Sequence, residues 1–366
     1  MRIAFVTELF HPHVGGQEVR YLQLGRELAR KGNAVHACTI RLAPDHAARE
    51  NVQGIEVHRV TDGFRYKPAS WLRRNPIDIM RFTRSVLEWI QSTGNYDAVI
   101  INLWPVLPAT MVPRLATVRG VVDWCEIRRS LFWRSLYRLV ASRAALHTAV
   151  SDSIAEHLRQ RYAVPADRVC TVLSGVHCRD YRTEDSEKQD RTILFLGRLS
   201  PHKNPLIVLR SFVQAALHRR TYKLHFVGDG PLLPELKRLS NGIENVFVHG
   251  PVDEPEKVRL LKQSTLLVLP SKREGFPRVI AEAAAAGTPT LTTLYPQNGS
   301  VSVVRQYGLG WVCAPKPGEI GVLMERHAKM DNEWIRASSV CVETARSTFD
   351  WNVVTRQLTE FLEANQ

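Results

Sequence analysis

No stretch of this chain of 366 residues stays apolar for the roughly eighteen positions that cross a bilayer, so a soluble or surface-bound protein is expected. The opening run from Met1 to Val6 is too short to read as a secretory leader. Cysteine is sparse and scattered: Cys38, Cys125, Cys170, Cys178, Cys313 and Cys341 form no CxxC pair. That argues against a zinc centre and against the disulfide framework of a secreted domain, and makes a reducing cytoplasm the expected compartment. No Asp-x-Asp pair occurs, and no third ligand stands at a suitable spacing from His11 and His13, so no metal is expected. Acidic residues are too few to balance the basic ones: 36 Asp and Glu against 49 Lys and Arg give a formal charge of +13. Such a surplus attracts nucleic acid, an anionic membrane face or phosphorylated substrates. No nucleic-acid recognition motif accompanies the charge, which leaves the last two. Low-complexity sequence is also lacking.

What the chain does have is alternation. Its length suits two domains of roughly 150–200 residues, and 44% hydrophobic residues suffice for a core in each. A strand at 3–7 leads into a loop with Gly15 and Gly16. Val19, Leu22, Leu24 and Leu28 then mark an amphipathic helix that stops at Gly32. Further strands are expected at 34–40, 55–60, 98–102, 120–122, 146–150 and 169–173, an α/β pattern that implies a doubly wound parallel sheet. Residues 179–190 turn polar and charged and read as a linker between a first domain at 1–178 and a second at 191–350. The second repeats the layout, with strands expected at 192–196, 224–227, 246–249, 266–269 and 288–292 and helices beyond 332.

The most informative run is Lys272-Arg273-Glu274-Gly275-Phe276-Pro277 and its continuation through Glu282. After the buried strand at 266–269, Gly275 permits a tight loop, Pro277 suits a first helical turn, and a helix extends to about Ala286 before Gly287. Free N–H groups and the dipole at that helix start favour a phosphate, flanked by Glu274 and Glu282. Arg198 and Lys203 follow the first strand of the second domain, at the carboxyl edge where parallel sheets bind ligands. Two cations and a helix dipole could hold a diphosphate and stabilise it as a leaving group; solvated surface cations are the plain alternative. Gly228-Asp229-Gly230-Pro231 and Gly250-Pro251-Val252 close further strands with turns that let backbone approach a flat ring.

The combination of His11-Pro12-His13-Val14-Gly15-Gly16, Gly197-Arg198 with Lys203, Gly228-Asp229-Gly230-Pro231, and Glu274-Gly275-Phe276-Pro277 with Glu282 resembles the retaining glycosyltransferases of family 4. The likeness spans nearly the whole chain. It implies the GT-B fold, two Rossmann-like domains facing across a cleft, with a tail helix from about 351 to 366 packing back on the first. It also implies a metal-independent enzyme with no cofactor, taking a UDP- or GDP-sugar as donor. By the resemblance, Arg198 and Lys203 bind the donor diphosphate and Glu282 the ribose. Glu274 lies beside the transferred sugar with the backbone of Gly275, Phe276 and Pro277. Gly15 and Gly16 close over the phosphates, and Gly228 and Val252 border the base.

One departure from the family stands at Val121-Val122-Asp123-Trp124-Cys125-Glu126, where many members carry a histidine near the reacting sugar. Asp123 or Glu126 could receive the proton of an attacking hydroxyl; equally, Glu126 could pair with a neighbouring arginine. Arginines interleave with aromatics at 128–140 and again at 64–74, a surface suited to anionic lipid headgroups while a lipid-linked or other surface-glycan acceptor enters. The alternative there is a partly buried helix with solvated arginines. A nucleotide-sugar epimerase of the same fold and an inactive partner subunit remain as other readings.

Overall fold

Two parallel sheets organise the computed structural model, which describes residues 1–13, 15–61, 76–115, 117–128, 130–182 and 187–365. The chain divides into one unit of Met1–Leu173 with Val354–Gln366 and a second of Ser174–Val353.

In the first unit the elements run β1 (Arg2–Val6), α1 (Gly16–Arg30), β2 (Ala34–Ile40), β3 (Arg49–Val52), β4 (Ile55–Thr61), α2 (Pro76–Thr93), β5 (Ala98–Asn102), α3 (Val106–Met111), β6 (Gly120–Trp124), α4 (Leu131–Arg143), β7 (Leu146–Ala149), α5 (Asp152–Tyr162) and β8 (Val169–Thr171). Their strand order is β3-β4-β2-β1-β5-β6-β7-β8. All pairings are parallel except the edge pair of β3 with β4, the one strand that the apolar pattern did not mark, because its Arg-Glu-Asn-Val sequence is polar. Ile3, Phe5, Val35, Ile100 and Val121 are sealed in the sheet and Tyr21, Leu24 and Leu28 cover it from α1.

The second unit runs β9 (Thr192–Leu196), α6 (Pro205–Gln214), β10 (Lys223–Val227), α7 (Leu233–Ser240), β11 (Val246–Gly250), α8 (Glu254–Gln263), β12 (Leu266–Leu269), β13 (Arg273–Glu274), α9 (Arg278–Ala285), β14 (Thr290–Thr293), β15 (Gln297–Asn298), α10 (Ser300–Tyr307), β16 (Gly310–Cys313), α11 (Pro317–His327) and α12 (Asn332–Thr344), after which α13 (Trp351–Ala364) returns the chain to the first unit from Val354. Six of the strands form a parallel sheet in the order β11-β10-β9-β12-β14-β16. Ile193, Phe195, Phe212, Phe226, Leu266 and Val268 are among its core residues, each contributing about 1.5–3 kcal/mol by leaving water.

Two boundaries differ from the sequence reading. Residues 174–178 fold with the second unit, because Val176 bridges Asp350 and the Cys178 N–H donates to the Asp350 carboxylate. Two described residues of the stretch expected as a linker are held there as well: Tyr181 is buried, and the Lys188 ammonium donates to the carbonyls of Ser264 and Leu261 and the hydroxyl of Thr288. The tail rejoins the first unit from Val354, with Val354, Leu358 and Leu362 buried and the Leu362 carbonyl accepting from Arg119.

Candidate active site at the strand ends

In the second sheet the order reverses between β9, which leads outward through β10 and β11, and β12, which leads through β14 and β16. Connections leave such a point in opposite directions and open a crevice beyond the carboxyl ends, where ligands of open α/β sheets bind. The segments leaving β9 and β12 are the two that carry Arg198 with Lys203 and Glu274. Across this point the Lys203 ammonium pairs with Glu274 Oε1, which also accepts from the Ser271 hydroxyl at 2.9 Å. The Lys272 N–H donates to the His202 carbonyl at 2.7 Å and ties the same two segments together. Arg198 is exposed and forms no ion pair among the described residues. Burial, followed by the Lys203 charge, lowers the His202 imidazole from its ordinary value.

Backbone contacts fix the neighbouring turns. Gly228, at φ 134°, passes so close to the end of β9 that a Cβ there would overlap the Gly197 carbonyl oxygen. Its N–H donates to the Gly250 carbonyl at 2.8 Å, which links the three strand ends. Val252 follows, half-buried, just ahead of Asp253, whose carboxylate caps α8.

The segment from Glu274 to Glu282 is pinned from behind. β13 pairs with β15, the Gly299 N–H donates to the Glu274 carbonyl at 3.0 Å, and a Cβ on Gly299 would strike the Gly275 carbonyl oxygen. Asn298 is buried and spans Thr292 and Thr293, holding this pairing in place. Phe276 packs edge-on against buried Phe349, so its ring anchors the loop. Pro277 stands at the cap position with an extended ψ of 107°, and α9 begins one residue later than the proline pattern suggested. Glu282 lies on the first turns of α9, where Arg278 one turn earlier (3.1 Å) and Lys257 from α8 (3.0 Å) both act on its Oε1. Lys257 also holds Glu254 at 2.7 Å, and Glu254 accepts from the Tyr181 hydroxyl at 3.2 Å. Burial, together with Glu282 and Glu254, pushes the Tyr181 phenol far up and keeps it a donor. For Glu254 burial acts upward, and Lys257, Tyr181 and Arg278 outweigh it to lower the carboxyl.

Sequence reasoning missed Tyr181, Lys257, Ser271 and Asn298. Arg278 was missed too, although its place four positions before Glu282 in an expected helix was a signal that could have found it. Lys257 gave no such signal, because it meets Glu282 only when α8 and α9 pack side by side.

Gly15, Gly16, Asp123 and Glu126 belong to the first unit. Gly15 caps α1 in an extended conformation and Gly16 faces open space, after β1 and beside the reversal point between β1 and β5. Asp123 is 1% exposed at the end of β6. Its Oδ2 accepts from Arg20 (2.7 Å), Tyr21 (2.8 Å) and Gln17 (3.0 Å), and its Oδ1 accepts from Thr148 (2.7 Å). These four donors surround the carboxylate, which joins α1 to β6 and β7; with its lone pairs so engaged, a structural part for Asp123 stands beside the expected one of accepting a substrate proton. Glu126 pairs with Arg128 at 2.8 Å, the second of its two readings. Burial, with Asp123 and Glu126 nearby, raises the Cys125 thiol far above its usual range, so it is no thiolate.

From residue 131 on, the arginine-aromatic run lies on α4 and divides by face; Arg128 precedes the helix and residue 129 lies outside the described residues. Tyr137 and Val140 are buried, whereas Arg128, Arg134 and Arg138 join His157, Arg161 and Tyr162 of α5 around a groove of about 590 Å³. Leu131, which lines it, and the next residue Phe132 are 77% and 69% exposed. Arg128 stacks over Trp104 at 4.2 Å. The similar run at 64–74 lies outside the described residues. No helix among the described residues is long and apolar enough to cross a membrane.

Comparison with known proteins matches residues 14–180 to the family described as Glycosyltransferase Family 4 and residues 179–337 to Glycosyl transferases group 1. The chain is 26% identical to the D-inositol 3-phosphate glycosyltransferase of Acidothermus cellulolyticus, over 86% of this chain and 75% of that protein. It is 25% identical to the GDP-mannose:cellobiosyl-diphosphopolyprenol alpha-mannosyltransferase of Xanthomonas oryzae pv. oryzae, over 100% and 97%. Among solved structures it superposes on Anabaena HepE in complex with UDP with a TM-score of 0.74 at 17% identity, covering both chains fully at 100%.

Proposed function

Because the chain belongs to the family 4, group 1 glycosyltransferases with the GT-B fold, we propose that it transfers a sugar from a UDP- or GDP-sugar to a hydroxyl of a lipid-linked or surface-polysaccharide glycan, with retention of anomeric configuration. The observation that carries this reading is the meeting of Lys203 with Glu274 at the reversal point of the second sheet, beside exposed Arg198. Glu274 pairs with the ammonium for which a donor diphosphate would compete. On donor binding, Lys203 and Arg198 turn to the phosphates, hold them in orientation, and neutralise the charge that grows as the glycosidic bond to the diphosphate breaks. Glu274, still held by Ser271, accepts from hydroxyls of the transferred sugar.

Glu282 has Oε1 engaged by Lys257 and Arg278, which orients Oε2 toward the vicinal hydroxyls of a ribose. The leaving phosphate takes the proton of the attacking hydroxyl on the same face, so the reaction needs neither a protein nucleophile nor a metal. Two named relatives support the donor class: HepE is a complex with UDP, and the Xanthomonas enzyme takes GDP-mannose and a diphosphopolyprenol-linked acceptor. The arginine groove of the first unit, with exposed Leu131 in its lining and exposed Phe132 next in the chain, suits the anionic headgroup region where such an acceptor resides, and so a peripheral place on the inner face of the cytoplasmic membrane.

The test is a panel of UDP-, GDP- and ADP-sugars, first by thermal shift and then by turnover with lipid-linked glycans, with the product anomer read by NMR. A shift and turnover with one UDP- or GDP-sugar and an unchanged anomeric centre are expected. No shift with any donor, or an inverted product, contradicts the reading.

A further inference from the structure

The face of the first sheet carries a polar cluster that sugar transfer does not use. β2 and β4 are adjacent and parallel, with His36 opposite Glu56 and Cys38 opposite His58. Residues two apart on a strand share a face, so Glu56 and His58 project together and His36 joins them from the next strand. His36 Nδ1 lies 3.5 Å from His58 Nε2, Glu56 Oε1 lies 2.9 Å from His58 Nε2, and Glu56 Oε2 lies 4.0 Å from His36 Nδ1. A tetrahedral ion with bonds of about 2.0–2.2 Å sets its ligand atoms about 3.3–3.5 Å apart. The three separations bracket that edge, so movements of about half an ångström would close them on a common centre.

We propose that His36, Glu56 and His58 form a binding site for a divalent transition-metal ion of the zinc and cobalt class, with its fourth position open. Two imidazoles and one carboxylate suit these ions better than magnesium or calcium, which take oxygen ligands. Aromatic walls stiffen the rings: His58 packs on Trp89 at 5.3 Å and His36 meets Tyr96 edge-on at 5.4 Å. Both histidine side chains are largely buried, at 12% and 13% exposure. Arg49 pairs with Glu56, but its side chain is 69% exposed and can swing into solvent. Arg2, stacked over Tyr96 at 4.6 Å, is a further nearby cation, so affinity falls below that of a closed four-ligand zinc site. The bound ion would clip β2 to β4 and stabilise the first unit by mass action. The site is independent of the transfer reaction, lying mid-strand on residues that no donor role involves.

The test uses the full chain, stripped with EDTA and titrated with Co²⁺ and then Zn²⁺. One equivalent of Co²⁺ with the visible absorption of tetrahedral cobalt is expected, displaced by Zn²⁺ and accompanied by a rise in Tm. His58→Gln and Glu56→Gln should each weaken binding at least about tenfold. Arg49→Gln, an exposed change, should tighten it. His225→Gln, which breaks a second close histidine pair at 2.9 Å in the other unit, should leave it unchanged. If a ligand variant fails to fold, the wild-type cobalt spectrum and the Arg49→Gln response decide. Absence of a tetrahedral spectrum in the wild type, undiminished binding by a folded His58→Gln, or loss of binding in His225→Gln overturns the proposal.

Discussion

Asp123 in the first unit and Glu274 and Glu282 in the second all meet cations near the carboxyl ends of parallel strands, yet they are wired for different ends. Asp123 is filled by four donors, and its partner Arg20 is only 2% exposed, so neither charge can change partner without unfolding its surroundings. Around Glu274 and Glu282 the cations reach solvent: Lys203 is 19% and Arg278 32% exposed, and Arg198 stands open. An ion pair sealed on both sides is scaffold. One whose cation faces solvent can trade its carboxylate for a phosphate, because the desolvation of the pair is incomplete and the exchange keeps the charge satisfied.

The sharpest way to break this contrast is Asp123→Ala, which strands a buried guanidinium. A loss of about 3–5 kcal/mol in urea unfolding is expected. A folded, fully stable Asp123→Ala that had merely lost activity would return Asp123 to the reaction. Lys203→Ala should do the opposite, leaving the melting curve of the free protein nearly unchanged while kcat/KM falls by about 10²–10³-fold, as for loss of a donor to developing charge.

Next comes a pH effect inside the scaffold. Trp124 Nε1 donates to His147 Nδ1 at 3.1 Å, and burial lowers His147 to about 4. The folded value lies below the ordinary value of about 6.5, so the unfolded chain binds the extra proton between them. Stability from this group is therefore complete above about pH 6.5 and falls as pH drops toward 4, by up to about 3 kcal/mol. Denaturation midpoints at pH 7 and 4.5 should differ less in His147→Gln than in the wild type. The smallest expected effect is Glu126→Gln, whose half-exposed pair with Arg128 contributes under about 1 kcal/mol, checked by the same unfolding curves.

Much of this was legible in the sequence, and the reasons are physical. Buried parallel strands such as Leu266–Leu269 are short apolar runs, and glycines such as Gly228 stand where backbone comes too near for a Cβ. The positions proposed for the donor side could be placed because they follow directly from the ends of those strands. The partners that tune them could not: Lys257 and Tyr181 reach the Glu282 neighbourhood through packing of separate segments, with 25 positions between Lys257 and Glu282. What surrounds Asp123 could not be read either, because an isolated carboxylate in a sequence gives no sign of four donors gathered from α1 and β7. The cluster of His36, Glu56 and His58 was hidden likewise, since only sheet register brings positions 36 and 56 side by side.

The central claim is that Arg198 and Lys203 form the diphosphate site while Asp123 is scaffold. Calorimetric titration of UDP and GDP into the wild type, Lys203→Ala and Arg198→Ala tests it most directly. One equivalent of one nucleotide should bind the wild type and bind each variant at least about tenfold more weakly, the loss of a charge-assisted contact. Equal affinity in all three folded proteins would contradict the assignment.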